Sequence, residues 1–175
     1  MSKDSIALIG FMATGKSTVG KALKARLGKE YKFIETDQII IEMAGKSIPK
    51  IFVDDGEAKF RDFEIEACKK AARSSKSIIS CGGGVVLNKI NIETLKKTCH
   101  IVLLIATPEV IYNRAMSEGK ENRPIINKKD PFKEIENLLS YRERYYNSSA
   151  EIVIETTEKS IETIVMEILM LTKLS

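Results

Sequence analysis

Residues Gly10 to Ser17 read G-F-M-A-T-G-K-S, which fits the phosphate-loop pattern G-x-x-x-x-G-K-[ST]. The octet follows the apolar run Ile6–Ile9 and precedes a stretch of helical periodicity that begins at Thr18. This order of strand, loop and helix is the context that the pattern requires, because backbone N–H groups and the positive end of a helix dipole then surround a phosphate group. We therefore expect the chain to bind the phosphates of a nucleotide.

The side chains of the octet predict separate tasks. In this motif the lysine, Lys16, reaches the β- and γ-phosphates, and the hydroxyl of Ser17 ligates Mg²⁺. The expected nucleotide contacts of the loop are Ala13, Thr14, Gly15, Lys16, Ser17 and Thr18. The octet does not identify the group that receives a phosphate.

Length and composition restrict the class of protein. The 175 residues predict one domain spanning 1–175, with a core that needs neither a disulfide nor a metal. The three cysteines form no C-x-x-C pair and no secretory signal is visible, which predicts reduced thiols in a cytoplasmic protein. The net charge of +4 is spread along the chain, and no long apolar stretch occurs. We expect a monomer that binds neither nucleic acid nor a membrane.

Short apolar runs alternate with longer segments of helical period along the whole chain. This alternation predicts an α/β domain with a five-stranded parallel sheet and helices on both faces. The predicted strands are Ser5–Ile9, Lys32–Glu35, Ser77–Ser80, His100–Ile105 and Glu151–Ile154. The last segment, from Ser160 to Leu171, has apolar residues at helical spacing, and Ser160 is a candidate helix cap.

Two acidic residues lie at the carboxyl end of the second predicted strand, in the sequence Glu35-Thr36-Asp37. Their side chains should lie on the same side, at the edge of the sheet where α/β proteins bind ligands. One carboxylate is suited to a Mg²⁺-bound water and the other to a substrate hydroxyl. Alternatively, Asp37 caps the helix that follows. Arg61 and Glu64, one helical turn apart, fit an ordinary surface ion pair.

The order of the motifs resembles that of the shikimate kinases over about residues 5–165. The matching elements are the phosphate loop, Glu35-Thr36-Asp37, the segment from Gly45 to Glu64, Gly82-Gly83-Gly84, Arg123-Pro124-Ile125, and Arg142 with Tyr146. The resemblance implies a phosphate-loop fold like that of the nucleoside monophosphate kinases. It also implies a helical substrate-binding region at about 36–65 and a mobile lid at about 115–129.

The activity that the resemblance implies is ATP- and Mg²⁺-dependent phosphorylation of the 3-hydroxyl of shikimate. The products would be 3-phosphoshikimate and ADP, in the biosynthesis of chorismate and the aromatic amino acids. The resemblance implies that Arg61 and Arg142 hold the substrate carboxylate, because planar guanidinium groups match the geometry of a carboxylate. Asp37 holds the reacting hydroxyl and accepts its proton, and Gly82, Gly83 and Gly84 contact the ring.

On the nucleotide side, the resemblance gives Arg123 a catalytic role beside Lys16, because it would swing in with the lid and neutralise charge on the transferred phosphoryl group. Arg114 aligns with the arginine that stacks on adenine. It lies nine residues before Arg123, two more than in the pattern, which predicts a longer lid. Glu35 replaces the usual first aspartate, and we expect it to reach Mg²⁺ through water.

Other functions remain open from the sequence. Asn127-Lys128-Lys129-Asp130 fits the N-K-x-D pattern that reads guanine in GTPase switches, but the chain contains no D-x-x-G. A kinase of the same architecture that acts on gluconate or on a nucleoside monophosphate would not need Phe60-Arg61 together with Arg142. A non-catalytic nucleotide-binding module would not need all of Lys16, Ser17, Asp37 and Arg123.

Overall fold

The computed structural model describes residues 3–117 and 128–174. Within these ranges five β-strands alternate with eight α-helices. The strands are β1 (Ser5–Ile9), β2 (Lys32–Glu35), β3 (Ser77–Ser80), β4 (Cys99–Ile105) and β5 (Ile152–Glu155). The helices are α1 (Lys16–Leu27), α2 (Thr36–Ala44), α3 (Ile48–Asp54), α4 (Gly56–Ala72), α5 (Lys89–Lys96), α6 (Pro108–Ser117), α7 (Pro131–Ser149) and α8 (Ile161–Thr172), and a short 3-10 turn spans Val85–Leu87.

The five strands form one parallel sheet in the order β2-β3-β1-β4-β5. The predicted fold class is therefore confirmed, and the bounds of β1, β2 and β3 are the predicted ones. β4 begins one residue early and β5 is shifted by one residue toward the C-terminus. The side chain of Ser160 accepts a hydrogen bond from the backbone N–H of Thr163, which confirms the predicted cap of α8.

β1 is the central strand, and all five of its residues are buried. Because side chains alternate along a strand, Ile6 and Leu8 face one side of the sheet while Ala7 and Ile9 face the other. The first side packs against α1 and α8, and the second against α4, α5, α6 and α7. This double burial explains why β1 is apolar without interruption.

A smaller apolar cluster joins α2, α3 and α4, away from the two faces of the sheet. Its buried members are Ile40, Ile51, Phe60 and Ala67. Gly45, with φ of 67°, ends α2 in the left-handed conformation and lets the chain turn toward α3. All of these residues except Ala67 belong to the region at about 36–65 that is predicted to bind substrate, and Phe60 lines the cavity of the candidate site.

The three cysteines, Cys68, Cys81 and Cys99, are buried as free thiols. Burial raises the pKa of the Cys81 thiol well above its ordinary value, so the residue behaves as a small apolar group. No helix in the described parts of the chain is both long and apolar enough to cross a membrane.

Candidate active site

A cavity of about 660 Å³ opens at the carboxyl ends of β1, β2 and β3. Its wall brings together the phosphate loop and most of the residues predicted to bind the phosphate acceptor. The cavity is lined by Met12, Ala13, Gly15, Lys16, Ser17, Thr18, Glu35, Asp37, Ile48, Phe52, Phe60, Arg61, Glu64, Ser80, Cys81, Gly82, Gly83, Gly84 and Arg142. Residues separated by more than a hundred positions in sequence therefore share one space.

The phosphate loop begins at a position that only glycine can occupy. Gly10 has φ of 144°, and a β-carbon there would lie 2.4 Å from the carbonyl oxygen of Leu104. The loop ends at Gly15, in the left-handed conformation, and α1 starts at Lys16. Its backbone therefore wraps around a helix N-terminus, which is an anion-binding arrangement.

Two polar side chains of the loop interact with its own carbonyl groups. The ammonium of Lys16 donates to the carbonyl oxygens of Gly10, at 2.9 Å, and Phe11, at 2.7 Å. The hydroxyl of Thr14 also donates to Phe11, at 2.9 Å, and this residue is buried. A contact of Thr14 with phosphate would thus use its backbone N–H.

Three side chains with oxygen atoms that could ligate a metal meet where the loop lies next to β2 and β3. The hydroxyl of Ser17 donates to Oε1 of Glu35 at 2.5 Å, and it lies 3.3 Å from the hydroxyl of Ser80. Glu35 and Ser80 are partners in the parallel register. Carboxylate and hydroxyl oxygens are ligands that Mg²⁺ accepts, directly or through water, so this donor set fits the predicted metal.

Asp37 lies in the first turn of α2, on the cavity wall. The N-cap position belongs to Glu35, whose carboxylate is directed to Ser17, so helix capping does not account for Asp37. Loss of water against the wall raises the pKa of Asp37; the Lys16 ammonium opposes this change, and the Glu35 carboxylate adds to it. The carboxylate is consequently a better proton acceptor than an exposed aspartate.

The glycine turn after β3 lies against three charged side chains. A β-carbon at Gly82 would lie 2.7 Å from Oδ1 of Asp37, and one at Gly84 would lie 2.6 Å from Nη1 of Arg61. One at Gly83 would lie 3.7 Å from Nη1 of Arg142. The absence of side chains along this turn thus allows the predicted acceptor-binding groups to converge on it.

A buried carboxylate orients Arg61. Nη1 of Arg61 donates to both carboxylate oxygens of Glu64, at 3.2 and 3.0 Å, and Nη2 donates to Glu57 at 3.1 Å. Glu64 is only 2% exposed, so the expectation of an ordinary surface ion pair is wrong for this residue. Burial raises the pKa of Glu64, and the guanidinium of Arg61 opposes that rise.

Arg142, on α7, closes the opposite side of the cavity. Its guanidinium carbon lies 5.7 Å from the centre of the Phe11 ring, and its Nη1 approaches the carbonyl oxygen of Gly83 at 3.5 Å. The Nε atom of Arg142 is buried and finds no hydrogen-bond partner among the described residues. A buried cationic donor of this kind is suited to an anionic ligand.

Tyr146, on the same helix as Arg142, also contacts the glycine turn. Its hydroxyl donates to the carbonyl oxygen of Gly83 at 2.6 Å. Burial raises the pKa of Tyr146 to about 12, so the phenol stays protonated and keeps this hydrogen bond at neutral pH. On another wall, the rings of Phe52 and Phe60 lie 4.6 Å apart between their centres and present an apolar surface.

Arg114 lies behind the phosphate loop and does not line the cavity. Its guanidinium donates to the carbonyl oxygens of Ala13, at 3.3 Å, and Thr156, at 3.0 Å. The hydroxyl of the buried Thr156 also reaches the carbonyl oxygen of Thr14, at 3.2 Å. These contacts join the loop to the end of β5.

Part of the predicted site lies outside the described residues. Arg123, Asn127 and residues 118–127 of the expected lid at 115–129 belong to this part. Asp130, the last residue of the N-K-x-D pattern, accepts a hydrogen bond from the backbone N–H of Lys133 and caps α7. This capping role explains Asp130 without a guanine base.

Several site residues were missed from the sequence. Thr36 is buried and its hydroxyl accepts the N–H of Gly82 at 3.0 Å, while Ser80 contacts Ser17. Their positions at the carboxyl ends of neighbouring strands were the available signal. For Glu64 the sequence indicates only an ion pair with Arg61, because the burial of Glu64 depends on how α5 packs against α4.

Comparisons with known proteins agree with this geometry. The family model described as shikimate kinase matches residues 12–173. A shikimate kinase of Caldanaerobacter subterraneus subsp. tengcongensis is 44% identical over 94% of both chains. The structure of an Acinetobacter baumannii shikimate kinase in complex with shikimate superposes with a TM-score of 0.88, at 30% identity over 97% of this chain and 93% of the other.

A third relative gives the same result. The crystal structure of shikimate kinase from Aquifex aeolicus has a TM-score of 0.79 and 36% identity, over 95% of this chain and 94% of the other. The likeness extends over nearly the whole length of each relative. The chain belongs to the shikimate kinase family.

Proposed function

We propose that this protein transfers the γ-phosphoryl group of ATP to the 3-hydroxyl of shikimate, giving 3-phosphoshikimate and ADP. The observation that carries this proposal is the convergence of Asp37, Arg61 and Arg142 on the glycine turn beside the phosphate loop. One carboxylate and two guanidinium groups match an acceptor that has hydroxyls and one carboxylate. The A. baumannii relative, whose structure contains shikimate, supports the same choice.

Arg61 and Arg142 bind the carboxylate of shikimate in this proposal. Each guanidinium offers parallel N–H donors in the geometry of a carboxylate, which a lysine does not reproduce. Nε of Arg142 is the buried donor in need of an acceptor, and Arg61 is held in place by Glu64. Gly82, Gly83 and Gly84 leave room for the ring above the turn, next to the apolar wall.

Asp37 orients the attacking hydroxyl and accepts its proton. Phosphoryl transfer through a loose transition state depends more on position than on a strong base, so orientation is the larger part of this role. The raised pKa of Asp37 brings the carboxylate closer to the range in which it accepts a proton at neutral pH. The proton therefore moves from the 3-hydroxyl to the Asp37 carboxylate as the new O–P bond forms.

The phosphate loop holds ATP. Backbone N–H groups from Ala13 to Thr18 surround the phosphates, and Lys16 exchanges its loop carbonyl partners for phosphate oxygens. Ser17 would hold Mg²⁺ directly and Glu35 would hold it through water. When bound, the ion neutralises charge on the phosphate oxygens. In this proposal Arg114, which contacts the carbonyl oxygen of Ala13 in the loop, would stack on the adenine, and Arg123 would stabilise the transferred group.

The proposed setting is a cytoplasmic monomer that supplies a phosphorylated precursor for chorismate and the aromatic amino acids. Neither nucleic acid nor a membrane takes part. The charge of +4 without a dense basic run agrees with small anionic substrates.

An assay of ADP release with several acceptors in parallel tests the function. Shikimate, gluconate and nucleoside monophosphates are each supplied with ATP and Mg²⁺, and the phosphorylated product is identified by NMR. We expect turnover with shikimate and phosphate on its 3-oxygen, and loss of turnover in Lys16→Ala. Faster turnover with gluconate or a monophosphate would contradict the proposal, and ADP release without any acceptor would indicate an ATPase.

A further inference from the structure

A buried amide on α5 contacts the charged network of the acceptor side. Asn91 is 0% exposed, and its Nδ2 donates to the carbonyl oxygen of Val85 at 3.1 Å and to Oε2 of Glu64 at 3.4 Å. Both of these neighbours are acceptors, so the amide nitrogen, not the oxygen, must face them. Oδ1 of Asn91 is buried and unpaired within the described ranges.

These contacts form a continuous chain of side chains that ends in the cavity. Asn91 donates to Glu64, Glu64 accepts from Arg61, and Arg61 lies against Gly84 on the cavity wall. Arg61 has a second carboxylate partner, the exposed Glu57, on its outer side. The direction of the guanidinium therefore depends on how firmly Glu64 holds it against the pull of Glu57.

We propose that Asn91 is a positioning residue for acceptor binding: its amide fixes the carboxylate of Glu64 so that the guanidinium of Arg61 faces the cavity. It acts through Glu64 and Arg61 and does not itself line the cavity. The proposal rests on the function proposed above, because the effect of Arg61 is read from the binding of shikimate.

Packing alone does not explain an asparagine at this place. The unpaired Oδ1 is unfavourable in a buried position, and a leucine of similar size would avoid it. A leucine would lack both N–H contacts, the one toward the carbonyl oxygen of Val85 and the one toward Glu64. In a low-dielectric interior, a hydrogen bond to an ionised carboxylate is stronger than one between neutral groups, so this donor favours the ionised form of Glu64.

The pKa of Glu64 depends first on burial, which raises it, and then on charged groups of three helices. Arg61 and Cys68 lie on α4 with it, Asp37 faces it from α2, and Arg142 faces it from α7. Asn91 contributes the donor from α5. Removal of that donor disfavours the ionised form, so the carboxylate would take up a proton at a higher pH and release its hold on Arg61.

The variant Asn91→Leu tests the proposal, with Ile92→Ala as a matched control. Ile92 is the next residue of α5 and is buried in the apolar core, so its truncation perturbs the same helix without touching Glu64. We expect Asn91→Leu to raise the KM for shikimate about tenfold, or about 1.4 kcal/mol, and the KM for ATP less than about twofold. The acid limb of kcat/KM for shikimate should move to higher pH in this variant and stay in place in Ile92→Ala.

A double-mutant cycle gives the decisive outcome. In a Glu64→Gln background, Asn91→Leu should add little, because the carboxylate on which it acts is gone. Full additivity, or equal effects of Asn91→Leu and Ile92→Ala on both substrates, would overturn the proposal. If Asn91→Leu does not fold, Asn91→Ser takes its place in the cycle.

Calorimetric titration of shikimate into each protein separates the two proposals. Absence of binding to the unmodified protein contradicts the proposed function. Binding to the unmodified protein that Asn91→Leu and Ile92→Ala weaken equally contradicts only the role of Asn91.

Discussion

The phosphate loop and the acceptor side of the cavity are built on different principles. The loop is one continuous octet whose backbone supplies the binding groups, and it rests on a fully buried strand. The acceptor side is assembled from charged side chains of α2, α4 and α7, which meet over the glycine turn. Backbone geometry governs the first region, whereas the second depends on ion pairs and hydrogen bonds between helices.

This difference predicts how each region fails. A change in the loop should disturb the fold and ATP binding together, because the same backbone serves both. A change on the acceptor side should alter shikimate binding or turnover while the fold survives. The four experiments below test this separation.

The largest effect is expected from Asp37→Asn. The amide fills the same space but cannot accept the proton of the hydroxyl, so kcat should fall by about 10³-fold. The Kd for ATP, measured by calorimetry, should change little. Asp62→Asn, an exposed substitution on α4, is the control and should keep normal turnover. A near-normal kcat in Asp37→Asn would remove the residue from the reaction.

Arg142→Ala comes next. Loss of the guanidinium should raise the KM for shikimate about 100-fold, with little change in the KM for ATP, and Arg142→Lys should restore only part of the loss. Arg144→Ala is the matched control, since Arg144 is exposed on the same helix and contacts Tyr145. Equal increases of both KM values would place Arg142 outside the carboxylate site.

Two glycine substitutions compare the regions directly. Gly10→Ala places a β-carbon against the backbone of Leu104 at a positive φ, which should lower the free energy of unfolding by about 1–3 kcal/mol and weaken ATP binding. Gly84 has φ of −94°, and the three atoms nearest to its new β-carbon all belong to the guanidinium of Arg61, at the far end of a flexible side chain. Gly84→Ala should therefore keep its melting temperature and raise the KM for shikimate roughly tenfold. Equal losses of stability in the two variants would contradict the proposed difference between the phosphate loop and the acceptor side.

The smallest effect concerns stability and pH. Because the pKa of Glu64 is raised in the folded protein, protonation of this carboxyl group stabilises the fold. This contribution is fully present below the ordinary pKa of 4.5 and is lost as the pH rises through the raised pKa. Glu64→Gln does not titrate at this position. Urea titrations give the free energy of unfolding of both proteins. The value for Glu64→Gln minus the value for the unmodified protein should increase from about pH 4 to about pH 7. The opposite trend would show that the pairing with Arg61 outweighs burial.

Much of the fold could be predicted because its strands are short apolar runs between helical segments. β1, β2 and β3 have the predicted bounds. β5 begins at Ile152, one residue later than predicted. At Glu151 the backbone N–H donates to the carbonyl oxygen of Ile101, but the N–H of Ile101 is bonded by the Glu151 side chain. At the other end of β5, Glu155 pairs with Ile105. A side chain that replaces a ladder contact leaves no periodic signal in the sequence.

Only those residues of the candidate site that belong to a sequence motif could be predicted. Asp37, Arg61 and Arg142 lie together at the cavity as expected, although their roles stay predictions. Glu64 and Asn91 belong to the same network, but their importance comes from burial between α4 and α5. Burial of this kind depends on how two helices pack, which local spacing does not specify.

The strand order also affects how the chain is made. β1 precedes β3 and β4, yet both of its edges pair with those later strands. A growing polypeptide on the ribosome must therefore reach Ile105 before this apolar segment has both neighbours. Parallel pairing across such separations is slow, and unpaired apolar edges favour aggregation. We therefore expect the nascent chain to be most prone to aggregation between the synthesis of Ile9 and that of Ile105.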